Sequence, residues 1–120
     1  PYRPADLAAV GLMTRVANVL MVANRTPIRT LADLKREAQA RPGQLTYGTA
    51  GIASSPHVVG EQLKLLLNID ITHVPFRGSA PVLTELVAER LEVGMAFQAF
   101  INAEIARWAD VVRRAQVRVE

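Results

Sequence analysis

Twice in this chain a short β-type run breaks at glycine and serine, and a proline follows at the opening of a helical pattern. The first instance runs Leu45-Thr46-Tyr47 into Gly48-Thr49-Ala50-Gly51-Ile52-Ala53-Ser54-Ser55-Pro56, the second Ile69 to Phe76 into Arg77-Gly78-Ser79-Ala80-Pro81. Proline is tolerated in a helix's first turn, where its missing N–H would lack a partner anyway, and glycine permits backbone angles closed to other residues. Each run therefore reads as strand, tight loop, helix. Repetition of that unit in a chain of 120 residues implies an α/β fold of one domain spanning 1–120: three layers, a mainly parallel sheet, and helices on both faces.

The remaining elements fit the same plan. Ala8 to Arg15 and Asn18 to Ala23 are β-like, and Thr30 caps a helix carrying Leu31, Leu34 and Ala38, with Asp33 placed for a capping box. Arg41-Pro42-Gly43 stops it. Ser55 is expected to cap the next helix with Pro56 at its first position, and Val58, Val59, Leu63, Leu66 and Leu67 give it a broad apolar stripe up to Asn68. Val82, Leu83, Leu86 and Val87 follow Pro81 at helical spacing. Leu91 to Phe97 is a further strand, Phe100 to Gln116 an amphipathic helix with Trp108 as a core anchor, and Val117 to Val119 a terminal strand.

Composition narrows the function. Fourteen Lys+Arg against 11 Asp+Glu give a net charge of +3, but acids interleave with the arginines, and neither a basic run nor an aromatic stacking platform points to nucleic acid. The absence of cysteine excludes disulfides, zinc–thiolate sites and thiol catalysis. No apolar run reaches the roughly 18 residues of a membrane span, and Pro1-Tyr2-Arg3-Pro4 opens without a charged-then-apolar leader.

In an open parallel sheet, ligands bind beyond the carboxyl ends of the strands, here the loops Gly48 to Pro56, Arg77 to Pro81 and Ala96 to Ala99. The first joins glycines, which admit a ligand close to backbone amides, to Ser54 and Ser55 and to the positive end of a helix. That combination seats a carboxylate or phosphate, or serves only as a capped turn. Arg77 adds a cation, or is simply solvated. Neither G-x-G-x-x-G nor G-x-x-x-x-G-K-[ST] is present, so no nucleotide cofactor is implied. His57, Glu61 and His73 can be drawn as metal ligands but lack any metal-site spacing, and a helix-entry histidine with a strand histidine whose ring is satisfied is the simpler reading. Ser54 or Ser55 beside His57 lacks the nucleophile elbow and an orienting acid. Glu85 and Glu89 read as a solvated helix face.

Four linked runs, Pro42 to Gly51, Ser54 to Glu61, His73 to Pro81 and Glu92 to Phe97, resemble the Bug-type periplasmic solute receptors of tripartite tricarboxylate transporters. The resemblance implies one lobe of a type II periplasmic binding protein, located in the periplasm and not an enzyme. It would bind a small carboxylate or amino-acid-like solute and deliver it to membrane permease subunits. It places the ligand at Thr49, Ala50, Gly51, Ala53, Ser54 and Ser55, with Arg77, Gly78 and Ser79 lining the same mouth. Residues 1–97 resemble the family's second lobe and hinge, and 100–120 its carboxyl-terminal helix, with a junction near Gln98 to Asn102. The implied form is a shortened receptor without the first lobe. A single wall binds weakly or not at all: an exposed helix terminus contributes about 0.3–1 kcal/mol, whereas a millimolar Kd requires about 4 kcal/mol. The alternative is a non-binding remnant that self-associates through uncovered apolar surface, for instance by exchange of the Phe100 to Gln116 helix.

Overall fold

The computed structural model describes residues 3–6, 8, 10, 11 and 15–114. After a single 3-10 turn at Pro4–Asp6, the elements are β1 (Asn18–Val22), α1 (Leu31–Ala40), β2 (Thr46–Thr49), α2 (Ser55–Leu67), β3 (Thr72–Pro75), α3 (Ser79–Val87), β4 (Val93–Phe97) and α4 (Gln98–Arg114). The strands form one sheet in the order β1-β4-β2-β3. β2 runs parallel to both β3 and β4, while β1 is antiparallel to β4. The sheet is thus mainly parallel, as the strand–loop–helix repetition implied.

Strand alternation sorts the core into two layers. Tyr47, Val93 and Met95 join Leu34 and Ala38 of α1 in one buried cluster, against which Leu63 and Leu67 of α2 pack. Val82 and Leu86 of α3 form the other with Ala23 and Leu91, against Met21 and Val74 of the strands. Helices therefore cover both faces. Gly60 lets α2 close down on the sheet: a Cβ there would lie 2.4 Å from Cε2 of Tyr47, a ring that is fully buried.

Local signals set most boundaries. Thr30 accepts the Asp33 N–H at 3.1 Å while Asp33 accepts the Thr30 N–H at 3.0 Å, the expected capping box. α2 departs from expectation by one residue. Ser54, not Ser55, is its cap, accepting the His57 N–H, so Ser55 is the first helical residue and Pro56 the second. The extended backbone of Ser54 and its second bond, from Oγ to Gly51 O at 2.7 Å, favour it over Ser55, whose hydroxyl is engaged elsewhere. The apolar stripe of α2 is only partly used, since Val58 and Leu66 are exposed. Asn68, left-handed, ends the helix.

Other expectations are corrected or lie outside the described residues. Of the strand expected over Ala8 to Arg15, residues Ala8, Val10, Gly11 and Arg15 are not in a strand, and the rest lie outside the described residues. β3 and β4 are shorter than their apolar runs. α4 follows β4 without a loop and begins at Gln98, two residues before the expected Phe100. Gln116, the strand expected at Val117 to Val119 and the side chain of Trp108 lie outside the described residues. Among the described residues, no helix is long and apolar enough to cross a membrane.

Candidate functional site

β2 and β3 are neighbours in the sheet, yet the helices they lead into lie on opposite faces, α2 with the Tyr47 layer and α3 with the Val74 layer. Diverging connections from adjacent parallel strands open a crevice at their carboxyl ends, where α/β folds bind ligands. The two loops that flank it are tied together: Phe76 N–H donates to Thr49 O at 2.9 Å and Gly78 N–H to Ala50 O at 3.3 Å. The residues expected at the mouth, 49–55 and 77–79, are thereby gathered in one place.

Their roles differ. Thr49 is fully buried beneath the mouth, its hydroxyl 2.7 Å from His73 Nε2 and bonded to Gly51 O. Ala50 supplies the carbonyl that holds the second loop. Gly51 has φ of 135°, and its carbonyl also takes the Ser54 hydroxyl. Ala53 is exposed with φ of 62°, its N–H donating to His57 Nδ1 at 3.0 Å. Ser55 is exposed at the start of α2, and its Oγ accepts from Asn18 Nδ2 at 3.1 Å. A hydroxyl that accepts from an amide keeps its own hydrogen for another acceptor. Across the mouth, Gly78 takes φ of 105° and α3 begins at Ser79 with no side chain capping it, leaving its first-turn amides for an anion or water. Arg77 is exposed, and among the described residues no carboxylate pairs with it.

Two residues were missed as parts of this mouth. Asn18 lies 37 positions before Ser55 and reaches it because β1 pairs antiparallel with β4. Its Oδ1 is buried and has no hydrogen-bond partner among the described residues. His57 was read as a helix-entry residue, with no local signal that its ring turns back onto the loop.

Below the mouth, the rings of His57 and His73 stack with centroids 4.0 Å apart and planes 15° apart, and Tyr47 tilts against His73 at 4.9 Å. The Tyr47 hydroxyl donates to Glu61, which also pairs with Lys64 at 3.2 Å. Burial, then the Glu61 charge and bond, raise the Tyr47 pKa. The Tyr47 bond, followed by Lys64 and His57, holds Glu61 below the usual carboxylate range despite partial burial. Burial first, and then the repulsion that a protonated His57 would exert, lowers the His73 pKa against an opposing pull from Glu61.

That direction fixes a pH dependence. A histidine whose pKa is lower folded than unfolded binds fewer protons in the folded state as pH drops past its unfolded value, so stability falls with pH there. We expect the urea midpoint to decline between about pH 7 and pH 5, before the carboxylates titrate. His73→Gln should make that limb shallower. An unchanged wild-type midpoint over this range would contradict the assignment.

Neither catalytic alternative gains geometry. The Ser54 hydroxyl donates to a carbonyl, and His57 Nδ1 accepts a backbone N–H, so no serine–imidazole pair forms among the described residues. No group of three or more histidine or acidic side chains able to hold a metal gathers among them.

Residues 1–117 match the sequence model of the tripartite tricarboxylate transporter family receptor. The chain belongs to this receptor family. Among curated relatives of the family, it is 33% identical over 94 residues to the UPF0065 protein in the tcbD-tcbE intergenic region of Pseudomonas sp. strain P51, covering 78% of this chain and 28% of the relative. It is 27% identical over 88 residues to BugT of Bordetella pertussis, covering 72% and 27%. Among solved structures, R. palustris Rpa4515 with adipate superposes with a TM-score of 0.68 at 33% identity, covering 75% of this chain and 31% of that one. The periplasmic binding protein BugD superposes at 0.63 with 18% identity, covering 68% and 27%, a likeness of fold. The chain spans less than a third of the length of each of these relatives and solved structures. Its sheet, with helices on both faces, accords with one lobe of a type II periplasmic binding protein.

Proposed function

We propose that this chain is the carboxylate-gripping lobe of a periplasmic solute receptor that serves a tripartite transporter's permease subunits. The observation that carries the reading is the mouth at the carboxyl ends of β2 and β3, where the loops 49–55 and 77–79 are joined by the Gly78–Ala50 bond and Arg77, unpaired among the described residues, precedes the uncapped start of α3. Backbone amides, the Ser55 hydroxyl and a guanidinium form a donor set suited to a carboxylate. Support comes from the receptor family of the chain and from a relative of similar fold whose structure carries adipate. With the donors of this chain alone, a bound carboxylate stays partly solvated and its binding to this chain is weak. The activity is capture, without a covalent step or cofactor.

Equilibrium unfolding in adipate, compared with its diamide at equal concentration and with chloride at matched ionic strength, tests this. A ligand bound only by the folded state at ten times its Kd stabilises by about 1.4 kcal/mol. We expect adipate to do so, and the diamide and chloride not to. Equal effects of all three would overturn the reading.

A second reading, self-association without a solute, draws on exposed Leu65 and Leu66 of α2 and on an apolar groove along Leu83, Thr84, Val87 and Ala88 of α3. Light scattering over a concentration series of the same samples separates it: a monomer at all concentrations removes it.

A further inference from the structure

Three non-glycine residues among those described have positive φ: Ala53, Asn68 and Glu89. The last two follow helices α2 and α3, where a left-handed residue is an ordinary ending. Ala53 precedes a helix and has no such reason. Alanine lacks the side-chain hydrogen bonding that helps asparagine or aspartate hold this conformation, so something outside the residue keeps it there. Ser54 closes the turn, its N–H and hydroxyl both bonding Gly51 O, and the Ala53 N–H itself is held by the His57 ring, whose Nδ1 accepts it at 3.0 Å.

An imidazole nitrogen accepts only when it carries no proton, so the bond requires the neutral ring with its hydrogen on Nε2. The ring is fixed from its other side as well, stacked on His73, which is anchored to Thr49 at the end of β2. Loop, helix and strand thus converge on one imidazole.

We infer that His57 is the positioning residue of the β2–α2 loop, its neutral ring holding Ala53 in place and its protonation releasing the loop. On protonation Nδ1 becomes a donor facing a donor, and the bond is lost. The groups that face the new charge are His73 from β3, the Tyr47 hydroxyl from β2, and Glu61 and Lys64 from the same helix. Asn18, which reaches α2 from β1, is uncharged. Glu61 attracts the charge, but it is already held by Tyr47 and Lys64. Where the mouth takes a carboxylate, which rests on the function proposed above, the same event makes capture weaken as pH falls.

The loop itself supplies the test, without a solute. Hydrogen exchange at the Ala53 amide, corrected for intrinsic rates, is followed from pH 8 to pH 5 in the wild type, His57→Asn and His57→Ala. Phe76, whose N–H bonds to Thr49 O, serves as reference. Asparagine places a non-titrating acceptor close to the position of Nδ1. We expect Ala53 protection in the wild type to fall about tenfold between pH 8 and pH 5, the effect of one hydrogen bond. Protection should persist at every pH in His57→Asn and be lost at every pH in His57→Ala, with Phe76 unchanged relative to the global stability of each protein. Ring nitrogen shifts at pH 8 should show Nδ1 unprotonated. A protonated Nδ1 at pH 8, or the same Ala53 pH profile in His57→Asn as in the wild type, would overturn the assignment. Adipate binding is measured on the same samples. If it is absent at every pH, the receptor reading fails while Ala53 still decides the role of His57.

Discussion

Replacing Tyr47 with alanine should destabilise the fold by about 3–5 kcal/mol, the cost of emptying a large aromatic site in a packed core. Tyr47 has no solvent exposure and sits on β2, a strand paired on both sides. Its ring meets Gly60 of α2 on one side and His73 on the other, so removal opens a void beneath the helix that starts at the mouth. The loss also leaves Glu61 without its hydroxyl partner. A domain typically has only about 5–15 kcal/mol in hand, so a substantial unfolded fraction is expected without denaturant. Tyr47→Phe keeps the ring and should cost about 1 kcal/mol, the worth of one hydrogen bond. Urea unfolding followed by far-UV circular dichroism measures both. A cost below about 1 kcal/mol for the alanine variant would mean that the ring's site collapses freely.

Gly51→Val should act on the mouth and leave the core intact. A Cβ at Gly51 finds only Phe76 O, at an ordinary contact distance of 3.5 Å, so space is not the obstacle. The obstacle is φ of 135°, where a β-branched residue is strained by about 1–3 kcal/mol. The loop relieves that strain by moving the Gly51 carbonyl, and with it the Ser54 and Thr49 hydroxyls bonded there. Carboxylate affinity should drop at least about tenfold, one or more hydrogen bonds' worth, while the far-UV spectrum stays native. Unchanged affinity would place the ligand elsewhere.

The sequence showed where the two loops lie more clearly than how they are wired. Pro56 and Pro81, with glycines and serines before them, marked two strand-to-helix junctions, and the local physics of proline and glycine located both loops. Thr30 and Asp33 announced their helix because a capping box is a contact across three residues. What escaped depends on contacts distant in sequence, or on a choice between near-equivalent groups. The antiparallel placement of β1 follows from its pairing with β4, and so does the reach of Asn18 to Ser55. Ser54 and Ser55 are equally good caps by composition, and only the bond from Ser54 to Gly51 and that from Asn18 to Ser55 divide their tasks. Val58 and Leu66 fit the apolar stripe of α2 by periodicity, yet the helix is oriented by Gly60 against Tyr47 and leaves them in solvent. The link from His57 back to Ala53 spans only four residues, but it depends on an alanine in a left-handed conformation that no sequence rule places there.

The mouth between the β2–α2 and β3–α3 loops is the proposed carboxylate seat. An amide-resolved NMR titration with mono-, di- and tricarboxylates, including adipate, aspartate and glutamate, tests it directly. Saturable shifts confined to Gly48 through Ser55 and Arg77 through Ser79, with the panel ranked by affinity, are the predicted result. Shifts that do not saturate, or that centre on the outer surface of α3 instead, would contradict it.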